Sequence, residues 1–128
     1  MRMIIVDDVM TNCIVMKRMA MKVFGGDIDL ETSPLTAVKT IQDRSYDIIV
    51  SSYKMPEIDG LGLVSMIRKF DEHRRTPVIM TSSCLEPSVR SKLIRHGVEA
   101  FVARPINADQ FRAKIAHYLS IRPSSYAA

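Results

Sequence analysis

Short apolar runs alternate five times with stretches of helical period, and few folds accept that order. Residues 3–6 read as a strand ending in Asp7-Asp8, and residues 10–24 as a helix in which Met10, Ile14, Val15, Met16, Met19 and Val23 recur before Gly25-Gly26 stops it. Residues 28–30 make a weaker second strand. Ser33 then offers an N-cap with Pro34 at the first helical position, opening a helix through Ala37, Val38 and Ile41. Strands at 47–50, 77–80 and 100–102 are separated by helices at 61–70 and 88–96, the latter ended by Gly97. Asn107 caps a last helix with Asp109 in its first turn and Arg112 and Lys114 further on, the sense the helix dipole favours. Runs of this kind, joined by short loops, predict a doubly wound α/β fold: a five-stranded parallel sheet with helices on both faces, built by right-handed crossovers.

At 128 residues and 47% apolar, the chain has the material for one domain with a real core, expected over residues 1–121. Residues 122–128, beginning Arg122-Pro123-Ser124-Ser125, have the composition of a tail or linker. No apolar run approaches the length of about 18 residues that would span a bilayer, and no signal-peptide pattern precedes the first strand. The expectation is a cytoplasmic protein that does not enter a membrane. Cys13 and Cys84 lie far apart, and His73, His96 and His117 fall in different segments, so neither a disulfide framework nor a zinc site is suggested. The net charge of +4 is unevenly spread. Residues 1–85 carry eleven basic and eleven acidic side chains, whereas residues 86–128 carry seven basic ones (Arg90, Lys92, Arg95, Arg104, Arg112, Lys114, Arg122) against three acids. That excess reads either as a solvated helical face or as a docking face for an acidic protein; no base-reading motif or aromatic platform argues for nucleic acid.

In an open α/β sheet, ligands and chemistry collect at the carboxyl ends of the strands. Here that edge would gather Asp7 and Asp8, Ser52, residues 81–83, and Arg104-Pro105. Asp47 would lie at the opposite end. The paired acids, the Asp-Ile-Ile-Val…Met-Pro-Glu-Ile-Asp-Gly stretch, the Pro-Val-Ile-Met-Thr-Ser-Ser run and the Gly-Val-Glu-Ala-Phe-Val-Ala-Arg-Pro run occur in that order. Over residues 3 to 119 this pattern resembles the CheY-like receiver domain of two-component response regulators. The resemblance implies a magnesium-binding acid pair, an aspartate at the end of the third strand that takes a phosphoryl group from a histidine kinase, a Thr or Ser and a Lys that grip its oxygens, and an aromatic switch residue.

Carried over by position, the acid pair is Asp7 and Asp8, the hydroxyl falls on Ser82 with Thr81 beside it, and the aromatic switch is Phe101. Two positions depart from the family: Ser52 stands where the phosphoacceptor aspartate is needed, and Arg104 stands in place of the lysine. A carboxylate is an ionised nucleophile at neutral pH and a metal ligand; a serine hydroxyl needs a base and brings no charge, and the motifs place no His or Lys beside it. With one carboxylate gone, Mg2+ binding is expected to be weak. Arginine, a planar fork suited to carboxylates, is expected to bridge to Asp7 or Asp8 and fill the metal's space. Simpler readings stand alongside: helix-capping acids at Asp7 and Asp8, core-filling methionines on the first helix, and a merely half-buried Phe101.

Three functions follow. The first is a degenerate receiver-like module, not an enzyme, that signals by phosphorylation-independent protein contacts. Its partner would be a histidine kinase, an output domain or another regulator, docked on the fourth helix, fifth strand and fifth helix. The second is a phosphorelay receiver using a hydroxyl acceptor such as Ser52. The third is a flavodoxin-like domain that binds a small ligand, against which the glycine-free, acidic loop after the first strand argues.

Overall fold

Alternate residues of the central strands enter different cores, and this period of two fixes the architecture. Ile4, Val6, Ile49, Val78 and Met80 point to one side of the sheet, and Met3, Ile5, Ile48, Val50 and Ile79 to the other. The computed structural model describes residues 1–83 and 85–121, so the expected tail at 122–128, with Arg122, and Cys84 lie outside the described residues. The strands are β1 (Arg2–Val6), β2 (Asp27–Glu31), β3 (Ile48–Ser52), β4 (Val78–Ser82) and β5 (Ala100–Ala103). Between and after them run α1 (Met10–Ala20), α2 (Pro34–Asp43), α3 (Gly60–Ile67), α4 (Pro87–Arg95) and α5 (Ala108–Ser120), with a 3-10 turn at Asp71–His73. All four pairings are parallel and the sheet order is β2-β1-β3-β4-β5. The order reverses between β1 and β3, the point at which such sheets open a crevice.

Side chains from α2, α3 and α4 close one core: Ala37, Ile41, Leu63, Ile67 and Leu93 are all fully buried. Cys13 and Met16 of α1 and Phe111 and Ile115 of α5 close the other. Helix starts follow the local chemistry. The Ser33 hydroxyl accepts from Thr36 N ahead of Pro34, Asp59 accepts from Gly62 N at 2.9 Å, and Asn107 from Gln110 N at 2.9 Å. At the far end of α4, Gly97 takes φ +84°, Gly97 N donates to Ile94 O and Val98 N to Leu93 O, the paired bonds of a Schellman stop.

Several boundaries differ from expectation. The apolar period in α1 runs on to Phe24, yet the helix ends at Ala20, where Val23 N and Phe24 N converge on the one carbonyl of Ala20, three and four residues back, and the ladder does not continue. The expected helix at 61–70 ends at Ile67, where Lys69 N and Phe70 N bond only three residues back. Strands β3 and β4 each run two residues past their apolar runs, into Ser51-Ser52 and Thr81-Ser82, because pairing with a neighbour satisfies the backbone there regardless of side chain. The methionines of α1 are not all core: Met16 is buried and Met19 packs partly, but Met10 is 46% exposed, and Met21, just past the helix, is 59% exposed. Among the described residues no helix is long and apolar enough to cross a membrane.

Candidate functional site

Asp7 leaves the end of β1 with its side chain 1% exposed, a carboxylate taken out of water that needs donors. It has them. Oδ1 accepts from Val9 N at 2.9 Å and from Asn12 Nδ2 at 3.3 Å, and Oδ2 accepts from Arg104 Nη2 in a close ion pair. Arg104 Nη2 also donates to Thr81 Oγ1 at 3.0 Å. Three strand ends, β1, β4 and β5, are thus tied by one guanidinium. Arg104 itself is placed by its backbone N–H on Ser82 O, at 3.0 Å, and is followed by a cis bond to Pro105. Val9 is the residue that caps α1, without a side-chain bond, so Asp7 serves the loop and the arginine instead of the helix start. Asp8, next in sequence, is exposed.

Ser52 ends β3 beside Thr81 and is 5% exposed. Its Oγ donates to Lys54 O at 3.4 Å, a long bond to backbone, and among the described residues no carboxylate or imidazole accepts from it. The loop that follows is held hard against the strand. Gly60 N donates to Tyr53 O, and a Cβ on Gly60 would lie 2.9 Å from Ser52 O and 2.5 Å from Met80 Sδ, so only glycine lets the loop close there. Glu57 sits in the same loop at φ 71°, a left-handed conformation uncommon for a residue with a side chain. Burial raises the Tyr53 phenol above its ordinary value, with the charge and hydrogen bond of Asp59 adding to the effect.

Phe101, on β5, is half-buried against the core that contains Leu63 and Met80. The Arg90 guanidinium of α4 lies over its ring, 4.2 Å from the centroid. Ser82, half-buried, ends β4 and lines a small cleft with Arg90 and Phe101. Of the basic residues counted towards a docking face, Arg104 is spent internally on Asp7, and Arg112 pairs with Asp109 at 2.9 Å. Lys92, Arg95 and Lys114 are exposed.

The arrangement therefore brings Asp7, Thr81 and Arg104 into direct contact, sets Ser52 beside Thr81, and leaves Asp8 outside the bonded set. Asn12 was not anticipated, although an amide one helical turn past the acid is the kind of spacing that finds it; nor was Arg90 on Phe101. As a metal site the donors fit poorly. Both Asp7 oxygens are engaged, Ser52 offers a neutral hydroxyl, and among the described residues no three His, Cys, Asp or Glu side chains converge.

With this geometry established, comparison with known proteins places it. The model of the response regulator receiver domain matches residues 3–116. The chain is 27% identical over 107 residues to the transcription factor SKN7 of Candida albicans, covering 84% of this chain and 19% of that protein. It is 28% identical over 92 residues to the cyclic di-GMP phosphodiesterase response regulator RpfG of Xanthomonas campestris, covering 72% of this chain and 24% of that protein. It thus spans a quarter or less of the length of either relative. Among solved structures, the receiver domain of the sensor histidine kinase PA1611 of Pseudomonas aeruginosa, which has a magnesium ion coordinated in its active site cleft, superposes with a TM-score of 0.81 at 21% identity, over 93% of this chain and 97% of that one. Five parallel strands in this order, motifs at the carboxyl edge and a family match over most of the chain make one conclusion: the protein belongs to the response regulator receiver domain family of two-component signalling.

Proposed function

We propose that this receiver is degenerate: it transmits signals through protein contacts, without phosphoryl transfer at the Ser52 position. The observation that carries the reading is the ion pair of Arg104 with buried Asp7, shared with Thr81, at the edge where the family pattern expects a metal and a mobile lysine. A guanidinium nitrogen seated on Oδ2 neutralises the acid while Val9 N and Asn12 hold Oδ1, and among the described residues no base accepts from the Ser52 hydroxyl. Magnesium is then bound weakly if at all, by Asp7 and Asp8, and the switch residues Ser82 and Phe101 respond to a partner instead of a phosphoryl group. The partner is a histidine kinase, an output domain or another regulator in the cytosol, met on α4, β5 and α5, where Lys92, Arg95 and Lys114 are exposed.

The test is intact mass after incubation with acetyl phosphate and Mg2+, with amide NMR in Mg2+ and beryllofluoride alongside. The expected result is no gain of mass and no saturable shifts at Asp7, Asp8 or Phe101. Gain of one phosphoryl group, mapped to Ser52 or a neighbouring hydroxyl, overturns the reading in favour of a hydroxyl-accepting relay. The double substitution Ser52→Asp with Arg104→Lys is expected to restore a saturable magnesium response, since it returns a carboxylate ligand and removes the fork.

A further inference from the structure

Arg90 of α4 is held in place and keeps its donors. Its guanidinium carbon lies 4.2 Å from the centre of the Phe101 ring, and none of its side-chain N–H groups meets a hydrogen-bond or ion-pair partner among the described residues. Its backbone N–H is engaged, on Glu86 O at 3.0 Å, but the Glu86 carboxylate, one turn back, makes no ion pair with it. An arginine loose in water loses rotamer freedom when it takes a carboxylate. One already resting on a ring has given up part of that freedom beforehand, and offers its planar fork from a fixed place.

Arg90 and Phe101 share the lining of a cleft of about 180 Å3, whose apolar walls come from Met80, Leu85, Phe101 and Val102. That is below the range of about 300–1,000 Å3 usual for small-molecule sites, and it suits a single side chain. The lining holds one cation and no acid. Around it the charge is uncompensated in the same sense: α4 has no acid from Pro87 to Arg95, and Lys92 and Arg95 are exposed with no ion pair among the described residues. An apolar notch set in a positive field is complementary to a segment whose apolar side chain is flanked by carboxylates. A second copy presenting this same face would meet like charge, and the ring that could stack a base is already covered by Arg90.

We infer that this cleft anchors a protein partner by a short acidic segment: an apolar side chain of the segment enters the cleft, and a carboxylate beside it takes the free N–H edge of Arg90. The inference rests on α4, β5 and α5 being the docking face, and it names the chemistry that face selects.

The experiment is amide and aromatic-ring NMR titration of the whole chain with three blocked pentapeptides. They are acetyl-Glu-Asp-Leu-Asp-Glu-amide, its neutral isostere acetyl-Gln-Asn-Leu-Asn-Gln-amide, and acetyl-Glu-Asp-Ser-Asp-Glu-amide, which keeps the charge and lacks the anchor. Without Mg2+ or a phosphoryl donor, the first is expected to give saturable shifts at Leu85, Arg90 and Phe101 and to bind about fivefold or more tightly than either of the others. Arg90→Gln, a change at an exposed side chain, weakens the first peptide by a similar factor, whereas Arg95→Gln, which alters only the surrounding field, weakens it about twofold or less. Equal affinity for the leucine and serine peptides, equal losses from Arg90→Gln and Arg95→Gln, or shifts at Leu85 and Phe101 that follow protein concentration alone, the mark of a second copy, each overturn the assignment. So does the lack of any saturable shift both before and after incubation with acetyl phosphate and Mg2+. Binding that appears only once the protein has gained the mass of a phosphoryl group upholds the acidic segment and overturns the reading of Ser52 instead.

Discussion

The two ends of this sheet each depend on an arginine, and the two solve different problems. At the carboxyl end, Arg104 meets a buried carboxylate and a hydroxyl, so its charge is cancelled where it stands. At the amino end, Arg68 meets three backbone carbonyls through Nε and Nη1, hydrogen bonds to neutral groups that leave its charge uncancelled. Satisfying donors and compensating charge are separate requirements, and a single side chain can meet one without the other. The first arrangement ties one guanidinium nitrogen to an acid and a hydroxyl. The second ties the guanidinium to backbone alone among the described residues.

Mutations separate the two roles. Arg68→Ala carries the largest expected effect, about 3 kcal/mol or more in urea unfolding, because it strands the carbonyls ahead of β4 and β5 at once. Arg104→Ala comes next, at about 2 kcal/mol, since Asp7 keeps Val9 N and Asn12 but loses its countercharge; adding Asp7→Asn to that variant is expected to recover part of the loss, where no second change at an acid rescues Arg68→Ala. Equal rescue at both ends would erase the distinction. A smaller effect concerns Cys13, whose thiol donates to Asp7 O at 3.4 Å and is pushed up to about 11 by burial, then by the negative charge of Asp7. The unfolded thiol ionises first, near 9.0, so above that pH the unfolded chain sheds a proton that the folded chain keeps. Stability is therefore expected to fall as pH rises from about 9 towards about 11, and Cys13→Ala to flatten that segment of the curve. Smallest is Arg90→Ala, expected to cost about 0.5 kcal/mol while shifting the Phe101 ring resonances, because it removes one partly exposed cation from one ring face.

The carboxyl end was the more legible in sequence. Acids, hydroxyls and the Arg-Pro dipeptide are side-chain signals, and the alternation of strand and helix dictated that Asp7, Ser52, Thr81 and Arg104 share an edge. What that pattern missed there was Asn12, and the extension of β3 and β4 through Ser52 and Ser82, since backbone pairing carries no residue signature. The amino end gave almost no signal. Arg68 works on carbonyls, which every residue has, and the cavity it lines arises where α3, the 3-10 turn and α5 end and β5 begins. The apolar period of α1 misled for a related reason: periodicity reports which residues share a stripe, not whether another element covers it, and Met10, Ile14 and Met21 lie outside the cover.

The pair formed by Arg104 and Asp7 joins residues 97 positions apart. Bringing such distant positions together costs chain entropy that local contacts do not, so in a parallel sheet assembled through helical crossovers this tie is among the last contacts to form. A contact absent from the folding transition state slows unfolding and leaves the folding rate untouched. In stopped-flow measurements the loss from Arg104→Ala is accordingly expected almost wholly in a faster unfolding limb. The same guanidinium that closes the edge acts, in time, as a latch on the lifetime of the folded state.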